Sequence, residues 1–402
     1  MTTRNLPQLI LIFLSVDWPL FSRRPMLTAL AAKAAEQGST VVAINRPLCP
    51  VSTVVRKRSR VPELLSRSRL ETVAPNLHLY SPKYLLHDSL ARRAAPITAA
   101  NVLALQRSLG ALKRRLGVHE PAPVVWYYNP QQAYVTQIYR QSFNVWELYD
   151  ELVTIAGRMP AGVLDDERRY RERVHLLLAT SPKLLATYGG PYPQAHLTDN
   201  GLARGTWEQL QRSDLEPLAA LAAIPHPRVG FAGVISERLE WKLLLELGQR
   251  RPDWQFVFAG RIARPELAAR LGSRKNFHYL GELSLEQLPS LLIGLDVSIM
   301  PYRDNRFFAA LNPLKIYEAA AAGLHSVSSP IEMLHNFPRT VVTVCRMEVN
   351  DWLTAIAAAL ARDDKVEREQ RRRFSGRFLW DDIAARTLAR IAELRSAGHR
   401  QP

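Results

Sequence analysis

Asn312-Pro313-Leu314-Lys315-Ile316-Tyr317-Glu318-Ala319-Ala320-Ala321-Ala322-Gly323 decides the fold of this chain. Asn312 is a good N-cap, and Pro313 suits the first helical position, where a missing N–H costs nothing. Gly323 stops the helix at the position where a left-handed residue is favoured. The first turn leaves amides directed at whatever lies above it, and such a helix end attracts phosphate. Lys315 and Glu318 are three apart and share a face near that end. A cation and a carboxylate so placed can serve a diphosphate and the hydroxyls of a ribose. Taken alone, the twelve residues read more simply as a capped amphipathic helix with one surface ion pair.

The flanking sequence changes that balance. Leu295–Tyr302 is an apolar run ending in Pro301 and Tyr302, which predicts a buried strand, and Leu324–Pro330 predicts another. Upstream, Trp254–Arg261 predicts a strand with Gly260 and Arg261 at its carboxyl end; Asn276–Gly281 and a helix over Ser284–Leu295 follow. Strand and helix alternating in this order spell a parallel α/β sheet. Ligands bind such sheets outside the carboxyl ends of the strands, where Arg261, Tyr302 and the Asn312 helix would lie.

From Phe231 to Pro330 the chain resembles the nucleotide-binding half of GT-B glycosyltransferases of the family 4-like (group 1) type, in its bacterial exopolysaccharide and teichuronic-acid form. Arg238-Leu239-Glu240, Arg250-Arg251-Pro252-Asp253-Trp254 and the Pro313–Gly323 signature carry the resemblance. More loosely, the first half is similar through Val16-Asp17-Trp18, Arg24-Pro25 and Val41–Pro47. The resemblance implies an α/β GT-B fold, two Rossmann-like domains facing across a cleft. It places an acceptor-side domain over residues 1–224, a nucleotide-sugar domain over 225–375, and a C-terminal helix over 376–402 that packs back on the first domain. It further implies that Glu318 grips the ribose and that Lys315 neutralises the diphosphate of the leaving nucleotide. Gly233 would allow close approach of backbone to phosphate, with Arg261, Tyr302, Asn312, Pro313 and Leu314 completing the donor site. Many relatives carry a second Glu eight positions before Glu318, where this chain has Ala310.

Several residues keep two readings. Arg238 either matches the basic residue that relatives set against the diphosphate or pairs with Glu237 or Glu240. Asp17 ends the first strand, and Tyr149-Asp150-Glu151 ends another; a carboxylate there can position an acceptor hydroxyl or act as base, while Asp150 can equally cap the segment after it. His325 is read as structural. The expected activity is hexosyl transfer, with retention and without a metal, from a nucleoside diphosphate sugar (UDP or GDP) to a glycan or lipid-linked saccharide in polysaccharide biosynthesis. No separate cofactor is expected, since the nucleotide sugar is a substrate. A GT-B epimerase or hydrolase and a non-catalytic GT-B scaffold are the rivals.

Composition sets the outer bounds. The chain has 402 residues, 47% hydrophobic, enough for two cores. Cys49 and Cys345 fall in different halves, which predicts no disulfide framework and a reducing cytoplasm. Leu9–Leu14 is too short an apolar run to span a bilayer and reads as the first buried strand. The net charge is +16. Arg56, Lys57, Arg58, Arg60, Arg67 and Arg69 leave two readings open, solubility or attraction to an anionic membrane at the inner face of the cell, whereas Arg371-Arg372-Arg373 reads as a solvated face. No nucleic-acid motif accompanies the charge. Missing too are a Gly-x-Gly-x-x-Gly strand end, a Walker loop and metal-ligand spacing of His and Cys, which disfavours nicotinamide, P-loop and zinc chemistry. Further elements expected are helices over Met26–Gln37, Gln131–Gln141, Val163–Leu177 and Asp214–Ala223 and a short strand over Leu178–Ser181, with Pro225-His226-Pro227 as the linker.

Overall fold

The computed structural model describes residues 6–48, 69–83, 95–362 and 364–398. Arg56, Lys57, Arg58, Arg60, Arg67 and Cys49 lie outside the described residues. The chain divides into two compact units: residues 1–152, 159–198 and 380–402 form the first, and 153–158 with 199–379 the second.

In the first unit the strands are β1 (Leu9–Phe13), β2 (Thr40–Ile44), β3 (Arg69–Ala74), β4 (Leu77–Ser81), β5 (Val124–Tyr127), β6 (Phe143–Leu148), β7 (Leu176–Ala179) and β8 (Ala195–Leu197). They order as β3-β4-β2-β1-β5-β6-β7-β8, parallel except for the β3–β4 edge pair. β1, β5, β6 and β7 are buried at every position, as expected of central parallel strands with both faces covered. Helix α1 (Arg24–Ala35) packs on the C-terminal helix Trp380–Gly398. At the start of α1, the Arg23 guanidinium pairs with the Glu147 carboxylate, both nearly inaccessible. Trp126 donates to Glu147 at 3.0 Å. Arg23 also lies 5.1 Å from the Trp380 ring, so the first residue of the C-terminal helix rests on this pair. Burial raises the Glu147 carboxyl above its ordinary range, and Arg23 draws it back down. Helix α2 (Ala95–Arg115) lies on this unit as well.

The second unit has a six-stranded sheet, parallel throughout: β9 (Arg228–Ala232), β10 (Gln255–Ala259), β11 (Phe277–Tyr279), β12 (Val297–Met300), β13 (His325–Ser328) and β14 (Val342–Val344), in the order β11-β10-β9-β12-β13-β14. Its helices include α3 (Trp241–Arg250), α4 (Arg306–Ala309), α5 (Leu314–Ala321) and α6 (Lys365–Ser375). α5 is the signature helix. It begins one residue later than expected, because Pro313 is extended (ψ 124°) and occupies the cap position. Asn312 is therefore not the cap: its side chain accepts from the Tyr317 hydroxyl at 2.9 Å, and its carbonyl accepts from Asn200 at 2.6 Å. Gly323 does adopt a left-handed φ of 80°.

Other expectations shift for physical reasons. The predicted helix over Val163–Leu177 ends at Tyr170, and the strand expected over Leu178–Ser181 starts two residues earlier, as the fully buried β7 run Leu176-Leu177-Leu178-Ala179. Gln131–Gln141 yields a 3-10 helix over Pro130–Gln137. Asp214–Ala223 yields only a 3-10 turn at Ala219–Leu221, with Pro217 forbidding a longer helix. Contacts group Asp199–Leu379, with Val153–Arg158, in the second unit, so the Pro225-His226-Pro227 segment lies inside it. Residues 217–228 are bound to it: Leu218 N–H donates to Ser290, and the Arg228 guanidinium donates to the carbonyls of Leu221, Ile224 and Gly294.

Arg371 is the clearest correction. It is 1% exposed rather than solvated. Its guanidinium donates to Gly323 O at 2.9 Å, to Thr340 O at 2.7 Å and to Glu367 at 2.7 Å, closing the C-terminal end of α5. Arg373 does face solvent and pairs with Glu369 at 3.1 Å.

Arg371→Met should therefore destabilise the second unit by about 3–5 kcal/mol, because three acceptors lose their donor in a dry site. Arg373→Met should cost less than about 0.5 kcal/mol; urea unfolding of both variants checks the contrast. His325 generates a second expectation. Its Nδ1 donates to Thr340 O at 3.0 Å, leaving Nε2 to accept from Thr343 Oγ1 at 2.9 Å. Burial pushes its pKa down to about 4. Below pH 6.5 the unfolded chain binds a proton that the folded chain refuses, so stability should fall as pH drops from about 6.5 to 4. His325→Gln should flatten that part of the stability–pH curve.

Candidate active site

In the second unit the carboxyl ends of β9, β10 and β12 meet the first turn of α5. After β9, Gly233 (φ 149°) donates its N–H to Ala259 O at 2.8 Å, and after β10, Gly260 (φ 127°) donates to Gly281 O at 2.7 Å. A Cβ on Gly260 would stand 2.2 Å from Gly233 O, and a Cβ on Gly233 would stand 2.4 Å from Lys315 Cε and 2.7 Å from its Nζ. Both positions thus need glycine, and the Lys315 side chain lies directly across Gly233. Its ammonium is 5.6 Å from the centre of the Phe231 ring.

The charges are arranged around that lysine. Burial lowers the Lys315 ammonium, but its interactions with Tyr302 and the Glu318 carboxylate outweigh burial and hold it above its ordinary value, with Arg238 pulling the other way. Glu318 is raised by burial and drawn back by Lys315. Tyr302 is clamped, stacked on Phe308 at 5.4 Å and edge-on to Phe231 at 6.3 Å. Phe308 belongs to α4, whose N-terminus is capped by Asn305 Oδ1 at 3.2 Å. The Arg238 guanidinium stands 5.8 Å from the Phe307 ring, and Arg238 O accepts from Arg303 N–H at 2.9 Å.

Of the expected donor residues, Gly233, Tyr302, Leu314, Lys315 and Glu318 are brought together here, with Arg238 beside them. Glu237 pairs with Arg264 at 2.9 Å, not with Arg238. Arg261 reaches the same sheet edge, its carbonyl accepting from Ile235 N–H at 2.9 Å, and its side chain is exposed. Asn312 and Pro313 are buried beneath the helix start rather than displayed above it. Ala310 is fully buried. Sequence reasoning missed Tyr279, whose hydroxyl donates to Gly260 O at 3.0 Å, and Asn200, whose only signal was its place in a turn.

In the first unit Asp17 follows β1 and Asp150 follows β6, on strands separated in the sheet by β5. The Ser15 and Tyr149 hydroxyls lie 2.6 Å apart between them, and Arg23 stands 5.6 Å from the Tyr149 ring. Glu151 accepts from the Tyr188 hydroxyl. Asp150 caps no helix: the next one starts at Val163 with Gly162 at its cap. Among the described residues no three His, Cys, Asp or Glu side chains are grouped to hold a metal ion, and no helix is long and apolar enough to cross a membrane.

Residues 226–362 match the family model of group 1 glycosyl transferases. The putative teichuronic acid biosynthesis glycosyltransferase TuaH of Bacillus subtilis is 31% identical over 97 residues, 24% of this chain and 24% of that protein. The alignment thus spans about a quarter of that relative's length. Among solved structures, the sucrose-phosphate synthase of Thermosynechococcus elongatus superposes with a TM-score of 0.69 at 16% identity, covering 97% of this chain and 100% of that one. Anabaena HepE, in complex with UDP and glucose, superposes with a TM-score of 0.60 at 14% identity, covering 96% of this chain and 98% of that one. At such identities the likeness is one of fold, and that fold is GT-B.

Gly233→Ala should destabilise the protein by about 1–3 kcal/mol through backbone strain and the displaced lysine. In a Lys315→Ala background the loss should be smaller, because the atoms struck by the new Cβ are gone. A double-mutant cycle by chemical denaturation measures this coupling; strict additivity would refute the contact.

Proposed function

We propose that this chain, which carries a group 1 glycosyl transferase domain over residues 226–362 on a GT-B fold, moves a hexosyl unit from a nucleoside diphosphate sugar to a glycan or lipid-linked saccharide. The observation that carries the reading is the Lys315–Tyr302–Glu318 cluster set over Gly233 at the strand ends. The Lys315 ammonium faces the diphosphate, and the free amides of the first turn of α5 add their dipoles to it. Glu318 accepts both ribose hydroxyls. As the bond from the sugar's anomeric carbon to phosphate oxygen breaks, negative charge grows on the leaving diphosphate, and Lys315 with Arg238 stabilises it. The acceptor oxygen bonds to the same carbon with retention, and its proton passes to the departing phosphate, so neither a protein nucleophile nor a metal is required. Within the first unit, Asp17 and Asp150 are the candidate carboxylates for an acceptor hydroxyl. The UDP bound by HepE supports a uridine donor, with GDP as the alternative. The teichuronic acid biosynthesis for which the TuaH relative is named supports a place in polysaccharide assembly, and the inner face of the cell membrane is proposed with it.

The rival, a scaffold that binds no donor, draws on Ala310, which buries a methyl where many relatives carry a carboxylate. A thermal-shift panel of UDP, GDP, dTDP and their sugar conjugates separates the two. A nucleotide at about 100 times its Kd adds roughly 2.7 kcal/mol to the native state, so one base should raise Tm by several degrees. Glu318→Ala and Lys315→Ala should each abolish that rise. A panel with no shift at all would establish the scaffold.

A further inference from the structure

We propose that the outward face of α2, in the first unit, docks the protein on an anionic membrane surface. This deepens the reading of a membrane-linked acceptor, and it stands on observations remote from the donor site. α2 is 21 residues long. It contains no Asp or Glu and carries four cations, Arg107, Lys113, Arg114 and Arg115. Its buried stripe is Val102, Leu105, Leu109 and Leu112. On the opposite side Pro96, Ala99, Leu103, Arg107 and Arg114 recur at helical spacing, and all five are exposed. Leu103 alone leaves 46% of its surface in water. The outward stripe is thus apolar through its first half and basic through its second.

Solubility alone does not account for this pattern. The other strongly charged helices of the chain mix signs and pair them: Glu367 with Arg371 and Glu369 with Arg373 in α6, and Asp165 with Arg168 and Glu167 with Arg171 after Gly162. α2 has no such pairs within itself. Among the described residues, two acidic groups near it are already engaged: Glu71 with Arg69 at 2.7 Å, and Glu120 with Arg395 at 3.4 Å and with the Gln8 backbone N–H. Lys113 is turned inward, donating to the Glu120 carbonyl.

Beside the basic half lies a groove of about 650 Å³ between β3 and α2, with Arg69 and Arg115 on its rim and Leu70 and Leu112 in its wall. Tyr80 and Ser108 hydroxyls, 2.7 Å apart, form its polar floor. The Arg115 guanidinium beside these hydroxyls suits a phosphate headgroup, while Arg69 stays paired with Glu71. An exposed leucine at bilayer depth with arginines at headgroup level is the arrangement of an interfacial helix. A nucleic acid would call for exposed aromatic rings to stack bases, and this face has none.

The full chain should be sedimented with vesicles of phosphatidylcholine alone and of phosphatidylcholine mixed with phosphatidylglycerol. Binding is expected to the anionic vesicles only, and to weaken as salt is raised. Each basic residue near such a surface contributes about fivefold in affinity, so the Arg107→Glu/Arg114→Glu pair should bind roughly 25-fold more weakly or worse. Both positions are exposed, and an unchanged circular dichroism melt confirms that the pair still folds. Leu103→Ser should weaken binding at every salt concentration. Equal binding to neutral vesicles, or undiminished binding by the Arg107/Arg114 pair, overturns the proposal. So does a Leu103→Ser variant that binds as wild type while free polyphosphate strips the protein from vesicles, since the face would then be a polyanion contact only. Because no sugar transfer is measured, these outcomes are independent of the nucleotide panel.

Discussion

Three hydrogen bonds from one buried guanidinium hold the second unit's working parts in place. Arg371 reaches from α6 to the carbonyl just past α5, to Thr340 ahead of β14, and to Glu367 on its own helix. A helix C-terminus has carbonyls with no partner inside the helix, and a cation there both satisfies one and complements the dipole. With the far end anchored, the N-terminal turn of α5 has a defined position relative to β9 and β12. Everything proposed for Lys315 and Glu318 depends on that position, because a diphosphate is recognised to within fractions of an ångström.

The near end of α5 is set by a different constraint, the need for two backbones and one long side chain to pass through the same small space. Gly233 and Gly260 pack backbone against backbone, and Lys315 crosses above Gly233. No residue with a Cβ fits at either glycine without moving one of the other two groups. The lysine side chain is thereby confined before any ligand arrives, which removes part of the entropy cost of binding. Tyr302, immobilised between Phe231 and Phe308, helps hold its charge. Aromatic packing and charge placement are in this sense the same device.

The first unit places its ionic anchor in the core instead. Arg23 and Glu147 are buried with Trp126, and the Arg23 guanidinium lies 5.1 Å from the Trp380 ring. A buried pair of this kind gains little net stability over a hydrophobic replacement, yet losing one partner is costly. It joins the start of α1, the middle of the sheet and the first turn of the C-terminal helix, and its guanidinium also lies near Tyr149 at the strand ends.

How much of this was legible beforehand depends on how local the cause was. The parallel sheet of the second unit was readable from short apolar runs ending in Gly, Arg or Tyr, because buried strands declare themselves by composition. The helix over Leu314–Ala321 and its stop at Gly323 were readable because caps and left-handed glycines act within a few residues. The neighbourhood of Lys315 and Glu318 followed from helical spacing alone. Arg371, which looked like a solvated run, could not be read, since its three acceptors come from segments far apart in sequence. The same holds for Asn312, drawn under the helix by Asn200 and Tyr317, and for the pairing of Arg23 with Glu147. The start of β7 was placed two residues late because Leu176 and Leu177 fit the end of a helix or a strand equally well until a neighbouring strand offers its edge. The sequence by itself thus determined the fold class, the parallel strands of the second unit around the signature helix, and the candidate residues at their ends. Tertiary structure alone decided which charges are buried and which backbone groups they satisfy, because those outcomes depend on contacts between distant segments that no local pattern encodes.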